Sequence, residues 1–139
     1  MSIAARFSVD RSPADAYAAI NDVRSWWTGA IEGPTDEIGA SFTYRYGDDH
    51  RSTQRVAELV PGRRVVWEVT DADLSFAADP REWVGTRIVF DVLPVDGGAE
   101  VRFEHEGLTP ACDCFDACSN AWGGLVTTNL RERIEAQPS

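Results

Sequence analysis

A run of strand-like segments held between two helical bookends constrains this chain most. Near the start, Phe7 to Trp27 reads as a strand, a capped helix and a pair of adjacent tryptophans. Near the end, Phe103 to Leu108 reads as a strand, and a long helix carrying Ala121, Trp122, Gly123 and Gly124 follows. Between them the period is two, the spacing of strands that bury one face. A sheet with one long helix laid across it encloses space, so the pattern predicts a container.

With 139 residues the sequence predicts one domain spanning 1–139, large enough for a core or for a core plus a pocket. Five Trp are many for so short a chain. Tryptophan is large and amphipathic, and it lines ligand cavities as readily as it fills cores. The formal charge of −10 argues against a nucleic-acid or anionic-membrane partner, since no basic stripe is present. No apolar stretch has signal-peptide or membrane-spanning length, and the three cysteines crowd into seven residues, a poor disulfide framework. A cytoplasmic location is the expectation.

Ile3, Ala5, Phe7 and Val9 alternate with polar or small neighbours, which predicts a half-buried strand. Ser12 offers a helix N-cap, Pro13 suits the first helical position, and Asp15 falls in the first turn. This helix is expected to fray near Asn21 and Asp22, with a second short helix or turn through Trp26 and Trp27. Five strands follow in meander. Phe42, Tyr44 and Tyr46 share a face, and Gly47-Asp48-Asp49 marks a turn. The next strand runs from Thr53 to Val60 and ends at the turn signal Pro61-Gly62. Val65, Trp67 and Val69 alternate, and the pattern breaks from Thr70 to Glu82, predicting a loop or flap. Strands resume at Trp83 to Leu93 and Ala99 to Gly107.

From about Asp113 to Ala136, Phe115, Cys118, Trp122, Val126 and Leu130 recur at helical spacing. Gly123-Gly124 inside that helix costs about 1 kcal/mol per residue against Ala, which predicts a close backbone approach there. Short turns make neighbouring strands antiparallel, so the fold class is α+β, a curved antiparallel sheet gripping a C-terminal helix.

The order of these elements resembles the helix-grip, START-like (SRPBCC) superfamily, in the branch related to the C-terminal domain of the heat-shock-protein ATPase activator. The residues that carry the resemblance are Phe7 to Asp10 with Ser12-Pro13, Trp26-Trp27, Pro61 to Trp67, Phe103 to Leu108, and Trp122. The resemblance implies binding of lipids, sterols or polyketide-like aromatics between sheet and helix, with some members cyclising or dehydrating the ligand. It implies no shared catalytic motif. It also implies that chaperone stimulation needs a further N-terminal domain, which this sequence does not show.

Candidate site residues follow from the same pattern. Trp26, Trp27, Tyr44, Trp67, Phe76, Trp83, Phe90 and Trp122 come from every element expected to border the space. They form either a wall that stacks a flat or greasy ligand or a filled core. Trp26 and Trp27 are adjacent, so one is expected inside and the other at the mouth. His105 shares a strand face with Val101 and Phe103. There it could move protons, or it could be a buried histidine bonded to a helix residue or to the turn at Gly107. Cys112, Cys114 and Cys118 stand without the second ligand pair that a zinc site requires, so no metal or other cofactor is expected. Asp71, Asp73, Asp79, Arg81 and Glu82 read as a polar lid or a solvated loop surface.

Three functions remain open on these residues: binding of a small apolar ligand, a cyclase or dehydratase using His105, and a chaperone-related protein-interaction domain. A homodimer or another protein partner is equally open.

Overall fold

Ser12 decides where the first helix begins. Its side chain accepts a hydrogen bond from the Asp15 N–H at 3.1 Å, and Pro13 follows at the first position, where a missing N–H costs nothing. The computed structural model describes residues 3–23, 26–27, 30–46, 50–74, 83–106 and 124–135. In chain order its elements are β1 (Ile3–Val9), α1 (Pro13–Asn21), β2 (Ala30–Glu32), β3 (Ser41–Tyr46), β4 (His50–Val60), β5 (Arg64–Leu74), β6 (Arg87–Val95) and β7 (Gly98–Glu106). A π-helical segment, Leu125–Leu130, then runs into α2, Arg131–Glu135.

The strands form one antiparallel sheet in the order β1-β7-β6-β5-β4-β3-β2. The meander is as expected from the short turns, and β1 closes it by pairing with β7. β2 is a sixth meander strand that the sequence did not announce. With three residues and no fully buried side chain, it is too short to show a period.

Two register shifts bend the centre of the sheet. Gln54 faces Val69 and Thr53 faces Asp71, so Thr70 is an extra residue in β5; Ala57 is the extra residue in β4. The first bulge explains the break in alternation at Thr70. The chain remains strand through Leu74 instead of opening into a loop, and Asp71 and Asp73 lie on β5, with Asp71 paired to Arg51 at 2.9 Å. Asp79, Arg81 and Glu82 of the expected lid lie outside the described residues. The Pro61-Gly62 turn forms as read, with Gly62 at φ +71°, a conformation glycine adopts without strain.

One face of the sheet collects the core. Phe7, Val9, Phe42, Tyr44, Val56, Val65, Trp67, Val69, Ile88, Phe90, Val92, Val101 and Phe103 are all buried there. Ala16, Ala19 and Ile20 of α1 and Val126, Leu130 and Ile134 of the C-terminal helix pack into the same cluster. The last three sit four residues apart and are fully buried, the stripe that the helical spacing predicts. Of the expected close approach at the glycine pair, Gly123 lies outside the described residues. Gly124 is exposed, and a Cβ there would meet nothing within 4 Å, so close packing does not explain it. Among the described residues no helix is long and apolar enough to cross a membrane.

Candidate functional site

The inner face of the sheet is aromatic at its centre, and local backbone geometry places each ring. α1 ends at Asp22, whose N–H returns to the Ala18 and Ala19 carbonyls. A helical turn follows, in which the Trp26 and Trp27 N–H groups both donate to the Val23 carbonyl, at 3.3 and 2.9 Å. Because this is a turn, the strand rule that adjacent residues face opposite ways does not apply. Both indoles point inward and each is 3 % exposed, so neither stands at a mouth.

The rings of Trp26, Trp27, Tyr44 and Trp67 form a near-parallel group. Trp27 stacks on Tyr44 at 4.1 Å between centroids and 16° between planes. It lies parallel to Trp67 at 6.0 Å and 4°, and Trp26 lies within 13° of Trp67 at 6.4 Å. Separations near 6 Å with almost no tilt mean offset stacking, in which the rings pack against one another's faces. Phe42 and Phe90 meet Trp67 edge-on at 5.1 and 5.2 Å, and Phe90 tilts against Phe103. The expected wall residues Trp26, Trp27, Tyr44, Trp67 and Phe90 are therefore in one cluster. Phe76, Trp122, Cys112, Cys114 and Cys118 lie outside the described residues.

Trp83 and His105 form a second group at the β6–β7 end. Trp83 lies in the turn before β6, not in the strand as read from sequence, and is buried. Its indole meets the imidazole of His105 edge-on at 4.7 Å and 81°. His105 is fully buried on the inner face, as the alternation with Val101 and Phe103 predicts. Its described hydrogen-bond partner is Thr86, with Nε2 and Oγ1 2.8 Å apart. The Thr86 hydroxyl in turn donates to the Trp83 carbonyl at 2.5 Å. A hydroxyl has a single hydrogen, so Thr86 accepts from His105, which fixes the proton on Nε2. The chain from His105 Nε2–H through Thr86 to the Trp83 carbonyl orients the ring and closes the turn.

Several inward polar residues escaped the sequence reading. Ser52 and Gln54 are fully buried on β4, and Gln54 Nε2 donates to Ser52 Oγ at 2.5 Å. Gln54 Oε1 is buried with no partner, and the same holds for Trp67 Nε1. Asn129 on the π-helical segment donates from Nδ2 to the Trp26 carbonyl at 3.2 Å, tying the C-terminal helix to the tryptophan turn. A signal for Ser52 and Gln54 was available. They alternate in phase with Val56, and polar residues at core-facing strand positions are exceptions that require a reason. Among the described residues no group of three or more His, Cys, Asp or Glu is placed to hold a metal ion.

The fold has many solved counterparts. An Aha1 dimer from Colwellia psychrerythraea, solved in solution, is 24 % identical with a TM-score of 0.80, over 100 % of this chain and 99 % of that one. Protein CV1439 from Chromobacterium violaceum is 18 % identical with a TM-score of 0.75, over 98 % of both chains. DynU16, a protein of the dynemicin biosynthetic locus, is 15 % identical with a TM-score of 0.70 over 97 % of this chain and 47 % of its own length. At these identities the likeness establishes the fold alone. No curated protein matches the sequence. The family model described as Activator of Hsp90 ATPase homolog 1-like protein matches residues 11–135, and the chain belongs to that family.

Proposed function

We propose that this domain binds a small, largely apolar molecule against the inner face of the sheet, beside the C-terminal helix. The observation that carries the reading is that Trp67 Nε1 and Gln54 Oε1, two of several buried side-chain polar atoms without a hydrogen-bond partner, both belong to the inner face of the sheet. A buried polar group left unsatisfied costs about 1–3 kcal/mol, which a bound molecule that pairs with it would recover. Their surroundings are apolar and aromatic, with Phe42, Val56, Val69, Trp26 and Trp27 in the same cluster. A site of that kind takes its affinity from burial and its selectivity from a few polar groups. DynU16, a protein of the dynemicin biosynthetic locus, shares the fold, which accords with the reading.

The test is direct. Native mass spectrometry of the gently purified protein is expected to show a bound small molecule. The tryptophan emission is expected to shift on titration with members of a panel of fatty acids, sterols and aromatic polyketides, because four buried indoles lie in or beside the cluster. A protein that carries nothing, and whose emission no member of the panel moves, overturns the proposal.

A further inference from the structure

The sheet ends in two unlike edges. β2 is three residues long, which limits what can pair with it, whereas β1 offers seven, Ile3–Val9. All seven pair with β7 in one unbroken register. On the other side of β1, no described residue forms a hydrogen bond with its backbone. The strand holds no proline and no bulge, two devices that keep a free edge from pairing. Its one charged residue is Arg6, which is exposed on the outer face of the sheet.

Arg6 stands directly opposite Arg102 of β7, a like-charge pair that disfavours the chain on its own. Arg102 is held by Glu100 at 2.6 Å, but neither Arg6 nor Glu104 has an ion-pair partner among the described residues. Glu104 is the cross-strand neighbour of Ala4, one row along from the two arginines. A cleft of about 560 Å³ opens over this corner, lined in part by Ala4, Arg6, Arg102 and Glu104. From this arrangement we infer that β1 is a self-docking edge: a second copy of the chain pairs its own β1 antiparallel to it, with Ala5 on the two-fold axis.

That register sets Arg6 opposite Ala4 of the second copy, and the reverse. Beyond that alanine, in the same row, stands Glu104 of the second copy, two strand spacings or about 10 Å from Arg6 between backbones. The small side chain between them leaves the cleft open, so the arginine and the glutamate meet across it, and symmetry makes the contact twice. The neighbouring registers are poorer. With Arg6 on the axis, two arginines oppose each other; with Phe7 on the axis, Arg6 is aimed at Glu100, which Arg102 already holds. A second copy fits better than an unrelated strand because the edge supplies both members of the ion pair. Elsewhere two chains of formal charge −10 repel, whereas at this corner Arg6 and Arg102 offset Glu100 and Glu104.

Sedimentation velocity on the full chain over a concentration series tests this. One strand pair is a small interface, so a reversible dimer of micromolar strength is expected. Arg6→Glu and Glu104→Arg are each expected to weaken it about tenfold. The double variant Arg6→Glu/Glu104→Arg, whose net charge is unchanged, is expected to restore it to within about threefold. Hydrogen exchange is expected to slow in the β1 amides as the dimer fills, and not in those of β2. A chain that stays monomeric at high micromolar concentration overturns the inference. So does a dimer whose β1 amides exchange as fast as the monomer's, or one that the double variant fails to restore. Tighter association of Arg6→Ala would mean that Arg6 guards the edge, and it overturns the inference as well. The wild-type sedimentation and exchange results decide the matter even where a variant fails to fold.

Discussion

Replacing Thr86 by Val isolates the buried chain that holds His105. The two side chains have nearly the same shape, and Thr86 is only 7 % exposed, so the change removes a hydroxyl and leaves the packing nearly intact. Two hydrogen bonds are lost, from His105 Nε2 at 2.8 Å and to the Trp83 carbonyl at 2.5 Å. The carbonyl keeps a second donor, the Thr86 N–H at 3.0 Å, so its loss is small. The imidazole Nε2–H loses its Thr86 acceptor inside a fully buried site, and an unsatisfied buried donor costs about 1–3 kcal/mol. We therefore expect a loss near 2 kcal/mol. With a urea slope of about 2 kcal/mol/M for a domain of this size, the unfolding midpoint falls by about 1 M at unchanged slope. Thr86→Ser keeps the hydroxyl and loses one methyl group, for about 0.8 kcal/mol, so Val is the more damaging substitution although it is the more apolar. Nitrogen-15 NMR of the imidazole adds an independent reading, in which the neutral ring is protonated at Nε2. A midpoint shift in Thr86→Val smaller than that in Thr86→Ser, or a neutral ring protonated at Nδ1, refutes the reasoning.

Ser12→Ala removes the only side-chain cap described for α1 and is expected to lower stability by about 1 kcal/mol in thermal unfolding. Leu130→Ala empties a fully buried position on the C-terminal helix and is expected to cost about 2–5 kcal/mol by urea titration; a loss under 1 kcal/mol would mean that the helix is loosely seated. Two glycine substitutions should act in opposite directions. A Cβ on Gly98 overlaps the Val9 carbonyl oxygen and lies 2.9 Å from the Val9 carbonyl carbon, so Gly98→Ala displaces the end of β1 and costs at least about 2 kcal/mol. Gly124→Ala meets nothing and has φ −66°, so it is expected to stabilise by about 0.5–1 kcal/mol, read as a raised melting temperature.

The sequence by itself determined the elements whose causes are local. The Ser12-Pro13-Asp15 start of α1, the alternation of β1 and β7, the turn at Gly62 and the buried stripe Val126, Leu130 and Ile134 all depend on neighbours within a few residues, and each was legible. The inward position of His105 followed from strand alternation alone.

What escaped the sequence depended on residues distant along the chain. The bulge at Thr70 exists because β4 and β5 shift register against each other, and a period of two read along one strand cannot register it. Trp26 and Trp27 both turn inward because a helical turn carries them over Trp67 and Tyr44, residues well beyond their own turn in the chain. Trp83 is buried from a turn because β7 brings His105 under its ring. The pairing of Gln54 with Trp67 on one face, each with an unmet hydrogen bond, required the register of two strands together with the burial of both side chains. Alternation and capping are properties of a short stretch of backbone and can be read from one. Two buried polar atoms left without partners on one face are a property of the assembled sheet, and only the tertiary structure decided that.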